Sequence, residues 1–426
     1  MKALEKDRTR RYGTPSEMAA DVTRHLNHQP IVARPASTAY RLRKYARRHR
    51  IGFITASAFV LVLIVATVVS VRQSIRARRE AAIAQAVNHF LQNDLLAQAS
   101  AEYQSRTNAR PDPNITVRTL LDRAAQRIDG KFTNQPEVEV TLRTTIGKAY
   151  IDLGLYPEAR QQLDLALELS RRMLGADDPR TLAAMYGLGR VAFGQGRYAE
   201  GEALNLQTLE ARRRVLGPEN PDTLKSMTGL AVTYAYEGKD AQAESLFSQT
   251  LAIQHRVLGP ENFKTLLTMN NLADVYAYEG KFGQAEALNS QALKTRSRIF
   301  GAEDPYTLAS MQDLATDYME MGKYAKAEAL YSQTLGIEQR VFGPETHDTA
   351  VTKYNMGCLE AKRGNNDKAI AWISNAIDHG LPPYVDLGIA EDTDLASLHN
   401  DSRFAALVAH AKQVAMSKDA PVHSSK

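Results

Sequence analysis

A Leu-Gly or Phe-Gly pair returns every 42 residues along this chain: Leu174-Gly175, Leu216-Gly217, Leu258-Gly259, Phe300-Gly301 and Phe342-Gly343. Six residues after each glycine stands a threonine: Thr181, Thr223, Thr265, Thr307 and Thr349. A second phrase keeps the same period, as Gly154-Leu155-Tyr156, Gly196-Arg197-Tyr198, Gly238-Lys239, Gly280-Lys281-Phe282, Gly322-Lys323-Tyr324 and a weaker Gly364-Asn365. A fixed period in this range marks a stack of like units, each burying its apolar face on its neighbours, so 426 residues need no single core. Stacks of this kind usually present surfaces to partners, which points toward binding.

Each unit reads as two amphipathic helices joined by a glycine turn. Leu224, Met227, Leu230, Ala231 and Tyr234 fall at helical spacing before Gly238-Lys239 breaks the run. Ala243, Leu246, Phe247 and Leu251 carry the second helix, which ends at Leu258-Gly259-Pro260. Glycine accepts the left-handed cap there, and proline cannot continue the ladder.

These phrases resemble the tetratricopeptide repeat in the 42-residue form typical of kinesin light chains. The family's small residue in the first helix matches Gly147, Gly189, Ala231, Ala273, Ala315 and Gly357. Its tyrosine three residues on matches Tyr150, Tyr234, Tyr276 and Tyr318, while Ala192 and Glu360 depart. Its small residue in the second helix matches Ala159, Gly201, Ala243, Ala285, Ala327 and Ala369. The resemblance implies an all-α fold, a tetratricopeptide-repeat α-solenoid of about six helix pairs over residues 137–380. It also implies that the first helices line a concave groove for a protein or peptide ligand. Carried over residue by residue, the groove positions are Tyr186, Arg190, Tyr236, Asn270, Asn271, Asp274, Tyr278, Asp313, Tyr354 and Asn355. Asn270-Asn271 matches the paired asparagines of kinesin light chains, whose amides can hydrogen-bond an extended peptide backbone. Thr228-Gly229 and Gln312-Asp313 stand at the same place in other units. Residues 381–416 resemble an ending often seen after bacterial arrays of this kind, a helical cap with Leu395, Leu398, Phe404 and Leu407. Residues 417–426 are polar and expected to be disordered.

Before the array, Ile51 to Val71 is a 21-residue run without a charge. At 1.5 Å per residue it matches a hydrocarbon core of about 30 Å, so we expect one transmembrane helix over 51–71 that meets the lipid bilayer. Fifty residues precede it, too many for a signal peptide. Residues 1–80 hold 17 Lys/Arg against 5 Asp/Glu, a net of +12, and the remainder carries −7. Arg34, Arg41, Arg43, Lys44, Arg47, Arg48 and Arg50 precede the span, and Arg72, Arg76, Arg78 and Arg79 follow it. The more basic first flank puts the N-terminus in the cytoplasm and the repeats outside it, in a single-pass arrangement at a bacterial inner membrane. The repeats lack the basic stripe of a nucleic-acid reader, so no nucleic acid is expected as a partner. Residues 72–136 form a helical linker. Ile75, Ala82, Ala86, Phe90 and Leu95 within 72–98 are spaced to face a partner, so this stretch could pair with itself in a homodimer.

Residues 1–28 and the basic juxtamembrane linker 29–50 carry a second resemblance. Leu4-Glu5-Lys6-Asp7-Arg8-Thr9-Arg10-Arg11-Tyr12 resembles the last block of bacterial Ser/Thr protein kinases, with Arg8 in place of the usual proline. Thr14-Pro15-Ser16-Glu17 then opens a helix as a capping box. The implied architecture is kinase, span and repeats, and Pro30 with Arg34-Pro35 fits it. No Gly-rich loop, Val-Ala-x-Lys, His-Arg-Asp or Asp-Phe-Gly occurs, and His49-Arg50 runs straight into Ile51, so the chain itself is not expected to be an enzyme. The alternatives are the sensor portion of a truncated or mis-started receptor-type kinase, and a passive membrane scaffold.

Nothing in the sequence points to a cofactor or a metal. His25 and His28 lie three apart with no third ligand nearby. The single cysteine, Cys358, excludes an internal disulfide and falls where a small buried hydrophobe is expected. The acidic runs at Asp177-Asp178 and Glu303-Asp304 suit the positive ends of the helices they precede. Asn114-Ile115-Thr116 is a formal glycosylation sequon without a secretory context to use it.

Overall fold

A computed structural model describes residues 11–33, 37–48, 50–100, 114–382 and 388–419, with isolated residues 2, 9, 112 and 385. Most of the kinase-like block from Leu4 to Arg10, the Arg34-Pro35 pair, Pro383 and the tail 420–426 lie outside the described residues. The chain divides into two compact units, 1–90 and 91–426.

The first unit is three helices: α1 (Pro15–Leu26), α2 (Thr38–Arg48) and α3 (Arg50–Phe90). Thr14 caps α1 by accepting from the Glu17 amide, and Glu17 accepts in return from the Gly13 amide at 2.8 Å. Asp21, buried on α1, accepts from the amides of Val32 (2.8 Å) and Ala33 (2.9 Å) and from the Tyr12 hydroxyl (3.0 Å). These bonds hold the Asp21 carboxyl below the usual carboxylate range and fold the 28–33 turn back on the helix. Helix α3 runs 41 residues without a break. Its apolar stretch has a mean hydropathy of 2.6 and none of that stretch is buried, so this helix is long and apolar enough to cross a membrane.

The second unit begins with irregular turns over Leu91–Ala99 and the helix α4 (Val117–Ile128), capped by Thr116. Six helix pairs follow: α5 (Pro136–Asp152) with α6 (Tyr156–Met173), α7 (Pro179–Gly194) with α8 (Tyr198–Leu216), α9 (Pro221–Tyr236) with α10 (Asp240–Val257), α11 (Phe263–Tyr278) with α12 (Phe282–Phe300), α13 (Pro305–Glu320) with α14 (Tyr324–Val341), and α15 (His347–Lys362) with α16 (Asn366–Asp378). Each helix packs on the one before and the one after, which makes an all-helical solenoid. The small residues allow this spacing: a Cβ at Gly147 would fall 2.7 Å from Leu163, and Ala231, Ala273 and Ala315 are fully buried. Gly259 takes φ +88°, and its amide and that of Leu258 reach back to Gln254 to close α10. The threonine six residues after the glycine now has a reason. Its hydroxyl donates to the glycine carbonyl, at 2.7 Å for Thr181, 2.8 Å for Thr223, 2.9 Å for Thr265 and 2.8 Å for Thr349. Along the second helices, ion pairs recur at the repeat period: Lys239 with Glu202, Lys281 with Glu244 and Lys323 with Glu286.

The last pair is covered by two short 3-10 turns, Ile389–Glu391 and Thr393–Leu398, and by α17 (Ser402–Asp419). Ile389, Leu395, Leu398, Phe404 and Leu407 are buried in one cluster with Ile373 and Ile377 of α16. Cys358 is buried there too, and that burial pushes its thiol well up from the ordinary range.

Candidate functional site

The first helices of successive units lie side by side and line one face of the array. Between α7, α9 and α11 this face is hollowed into a cavity of about 670 Å³. Tyr156, Tyr186, Phe193, Val232 and Leu267 form its apolar wall, and Arg190, Lys225, Thr228, Lys264 and Asn271 supply polar groups. Asn205 of α8 and Gln254 of α10 also line it. Each is only 2% exposed, and each keeps a side-chain oxygen with no hydrogen-bond partner. Both amides sit behind the wall: the Asn205 amide donates to Thr233 while its oxygen packs against Gly189 of α7.

The basic end of the face gathers Lys148, Arg190, Arg212 and Lys225. Burial first, then the charges of Lys148 and Arg190, push the Lys225 ammonium down from its ordinary value. Burial likewise lowers Lys148, with Arg212 and Arg190 adding to the effect. Tyr186 lies between two of these cations, the Arg212 guanidinium and the Lys225 ammonium each 5.2 Å from its ring centre. Among the described residues Arg190 pairs with one carboxylate, Asp152 at 3.0 Å.

One unit further on the sign reverses. Asp274 of α11 and Asp313 and Asp317 of α13 stand near one another. Asp274 is exposed at its surface, but desolvation by the helices around it and the charges of Asp313 and Asp317 push its carboxyl up. Burial raises Asp313 as well, against the pull of the Asn270 amide it accepts from. Asp317 is raised to about 7, chiefly by burial, while accepting from Asn289 at 2.8 Å. Among the described residues no group of three His, Cys, Asp or Glu side chains is arranged to hold a metal ion.

Of the residues read from the sequence, the cavity brings together Tyr186, Arg190 and Asn271. Asn270 turns inward instead: it is 5% exposed and donates to Asp313 (2.8 Å) and Asn289 (3.1 Å), so it braces α11 against α12 and α13. Its neighbour in sequence faces out because adjacent helical residues sit about 100° apart. Tyr354 is also buried, its hydroxyl bonded to Asp392 of the cap. Tyr236 is exposed but packs on Phe193, edge to face at 4.8 Å, and on Tyr198. Tyr278 is 79% exposed, and Asn355 is half-buried. Sequence reading missed Tyr156, Phe193 and Lys225, which complete the cavity. It also missed a column of buried polar residues one repeat apart, Arg212, Gln254, Arg296 and Glu338. Their signal was a polar residue every 42 positions on an otherwise apolar helix face.

The sequence matches the tetratricopeptide repeat family over residues 137–200, 188–256, 237–298, 264–336 and 306–378. Among solved structures, kinesin light chain-type, nearly identical TPR-like repeats from Podosopora anserina are 26% identical, with a TM-score of 0.44 over 48% of this chain and 97% of that one. Aspartyl phosphate phosphatase F from Bacillus subtilis is 12% identical, with a TM-score of 0.50 over 80% of this chain and 85% of that one. NprR in complex with its cognate peptide NprX is 14% identical, with a TM-score of 0.46 over 72% and 82%. No protein with curated annotation matches the chain.

Proposed function

The chain belongs to the tetratricopeptide repeat family, and from that premise we propose that it is a membrane-anchored, non-catalytic receptor for an extended peptide segment of a protein partner. The observation that carries this reading is the cavity between α7, α9 and α11. It pairs an aromatic and aliphatic wall with amide, hydroxyl and ammonium groups. A peptide offers both kinds of group at every residue, and a preformed hollow fixes it at low entropic cost. The exposed Tyr278, the half-buried Asn271 and Arg190 and the ring of Tyr186 in the cavity wall serve this role, whereas Asn270 supports them from inside. Helix α3 anchors the array in a bilayer, with the basic residues 1–50 on the cytoplasmic side. Proteolysis of intact spheroplasts tests that orientation, since repeats that stay protected would reverse it.

The binding test is a titration of the full chain with peptides selected from a display library. Lys225→Glu and Asn271→Ala each weaken the selected peptides roughly tenfold, about 1.4 kcal/mol, with an unchanged melting temperature. Unchanged affinity in both variants overturns the site. One observation favours a second reading, in which the array is the sensor of a receptor-type kinase: Arg11-Tyr12 and the capped α1 stand just before the basic linker and span. An immunoblot of native membranes decides this. A band tens of kDa above 47 kDa supports the kinase reading, and a band at that mass opposes it.

A further inference from the structure

Between Asp21 and Glu80 the chain has no carboxylate, yet it holds 12 Lys/Arg. Asp21 itself is occupied by Val32, Ala33 and Tyr12. The positive charge of α2 therefore has no counter-charge supplied by the sequence around it. Arg41, Arg43, Arg47 and Arg48 are all exposed, and among the described residues none of them forms an ion pair. Lys44 behaves differently. It is 7% exposed and donates to the His25 carbonyl at 3.1 Å, tying α2 to the end of α1.

That tie leaves a hollow of about 470 Å³ between α2 and the turn after α1. Pro30, Leu42 and Tyr45 line it, with Arg41 and Arg48 one above the other, seven residues apart on the helix. The turn is built rather than loose: His28 takes the left-handed φ of +57°, and the Gln29 amide closes on the Arg24 carbonyl at 2.7 Å. Leu42 is 65% exposed and Tyr45 59%. Exposed apolar side chains flanked by unneutralised arginines suit a membrane surface, and α2 ends at Arg48, three residues before the apolar stretch that begins at Ile51.

We propose that this hollow and the exposed face of α2 bind anionic phospholipid in the same bilayer that α3 crosses. Arg41 and Arg48 grip the headgroup phosphate, and Leu42, Tyr45 and Pro30 meet the upper acyl chain. The proposal rests on the membrane-anchoring reading and goes beyond the peptide groove. It gives the N-terminal unit a task of its own, holding the juxtamembrane helix at a lipid surface of defined charge.

The test uses the full chain in nanodiscs, with a nitroxide on Leu42→Cys. The native Cys358 is 2% exposed and reacts little, which the labelled unsubstituted chain checks. In discs containing phosphatidylglycerol, the label shows severalfold higher accessibility to oxygen, relative to a nickel chelate, than in pure phosphatidylcholine. Adding Arg41→Glu and Arg48→Glu, or raising the salt, abolishes the difference. A label that stays aqueous in both discs overturns the proposal. Equal immersion in both, unchanged by charge reversal, also overturns it, because contact would then be apolar only. A second label on Val60→Cys separates the two readings: immersion at position 60 with an aqueous label at position 42 removes only this proposal, whereas an aqueous label at 60 removes the anchor as well.

Discussion

The loops of the array and the ion pairs between its second helices repeat with little change, while the inner face changes at every unit. On the outer side the threonine-to-glycine bond recurs in four loops, and the Lys–Glu pair recurs between successive second helices. On the inner side one position reads Tyr186, Thr228, Asn270, Gln312 and Tyr354, and another reads Arg190, Val232, Asp274, Thr316 and Cys358. A stack needs the same loop and the same contact at every step to continue, so those positions are fixed by geometry. The inner positions need not repeat: some of them, such as Asn270, Tyr354 and Cys358, are packed inward against neighbours that differ from unit to unit, and the others set a basic end over α7 and α9 and an acidic end over α11 and α13. The difference teaches that the loop and junction contacts are what each unit must repeat, while the first-helix positions vary and give the face its character.

Four perturbations probe that separation. Phe247 is 1% exposed at the packed interface of α10, and truncation to alanine should cost about 3–5 kcal/mol in denaturant unfolding. A loss below about 1 kcal/mol would mean the repeat core is not what holds the units together. The acidic end should respond to pH. Burial raises Asp317 and Glu338 each to about 7, well above an unfolded value near 4. Between those values the folded state binds more protons than the unfolded one, so stability falls as pH rises from about 4 to about 7 and levels off above. Asp317→Asn should therefore gain about 1–3 kcal/mol near pH 8 and little near pH 5, measured as urea midpoints. A variant that leaves the pH profile unchanged contradicts the assignment.

Thr265→Val should cost about 1 kcal/mol by removing the bond to the Gly259 carbonyl. Thr307 gives an internal control. Its hydroxyl is buried without a partner, so Thr307→Val should be neutral or slightly stabilising, and equal losses at both sites would refute the loop account. The smallest effect belongs to the outer ion pairs. Lys281→Ala should lower the urea midpoint only slightly, and not at all at high salt, because Lys281 and Glu244 are partly exposed and water and salt screen the pair.

The fold was legible because its signals are local and repeated. The Leu-Gly or Phe-Gly pair ends a helix at each of its five copies, followed by proline in three of them, and those copies fix the register. The apolar helix over 51–71 was legible for the same reason, as a long run without charge. The site was legible only in part. Tyr186, Arg190 and Asn271 reach the cavity, but Asn270 and Tyr354 turn inward, and one residue of rotation decides this on a helix whose inner face is polar. Lys225 and Phe193 escaped because their contribution depends on neighbours one unit away, and no repeat signal marks them.

Hydrogen exchange on the full chain, with and without a selected peptide, is the measurement to make. We expect the added protection on α7, α9 and α11, centred on residues 186–193, 225–232 and 267–271, with α8, α10 and α12 unchanged. Protection confined to the second helices, or to α15 and the cap, would contradict the assignment of recognition to the inner face.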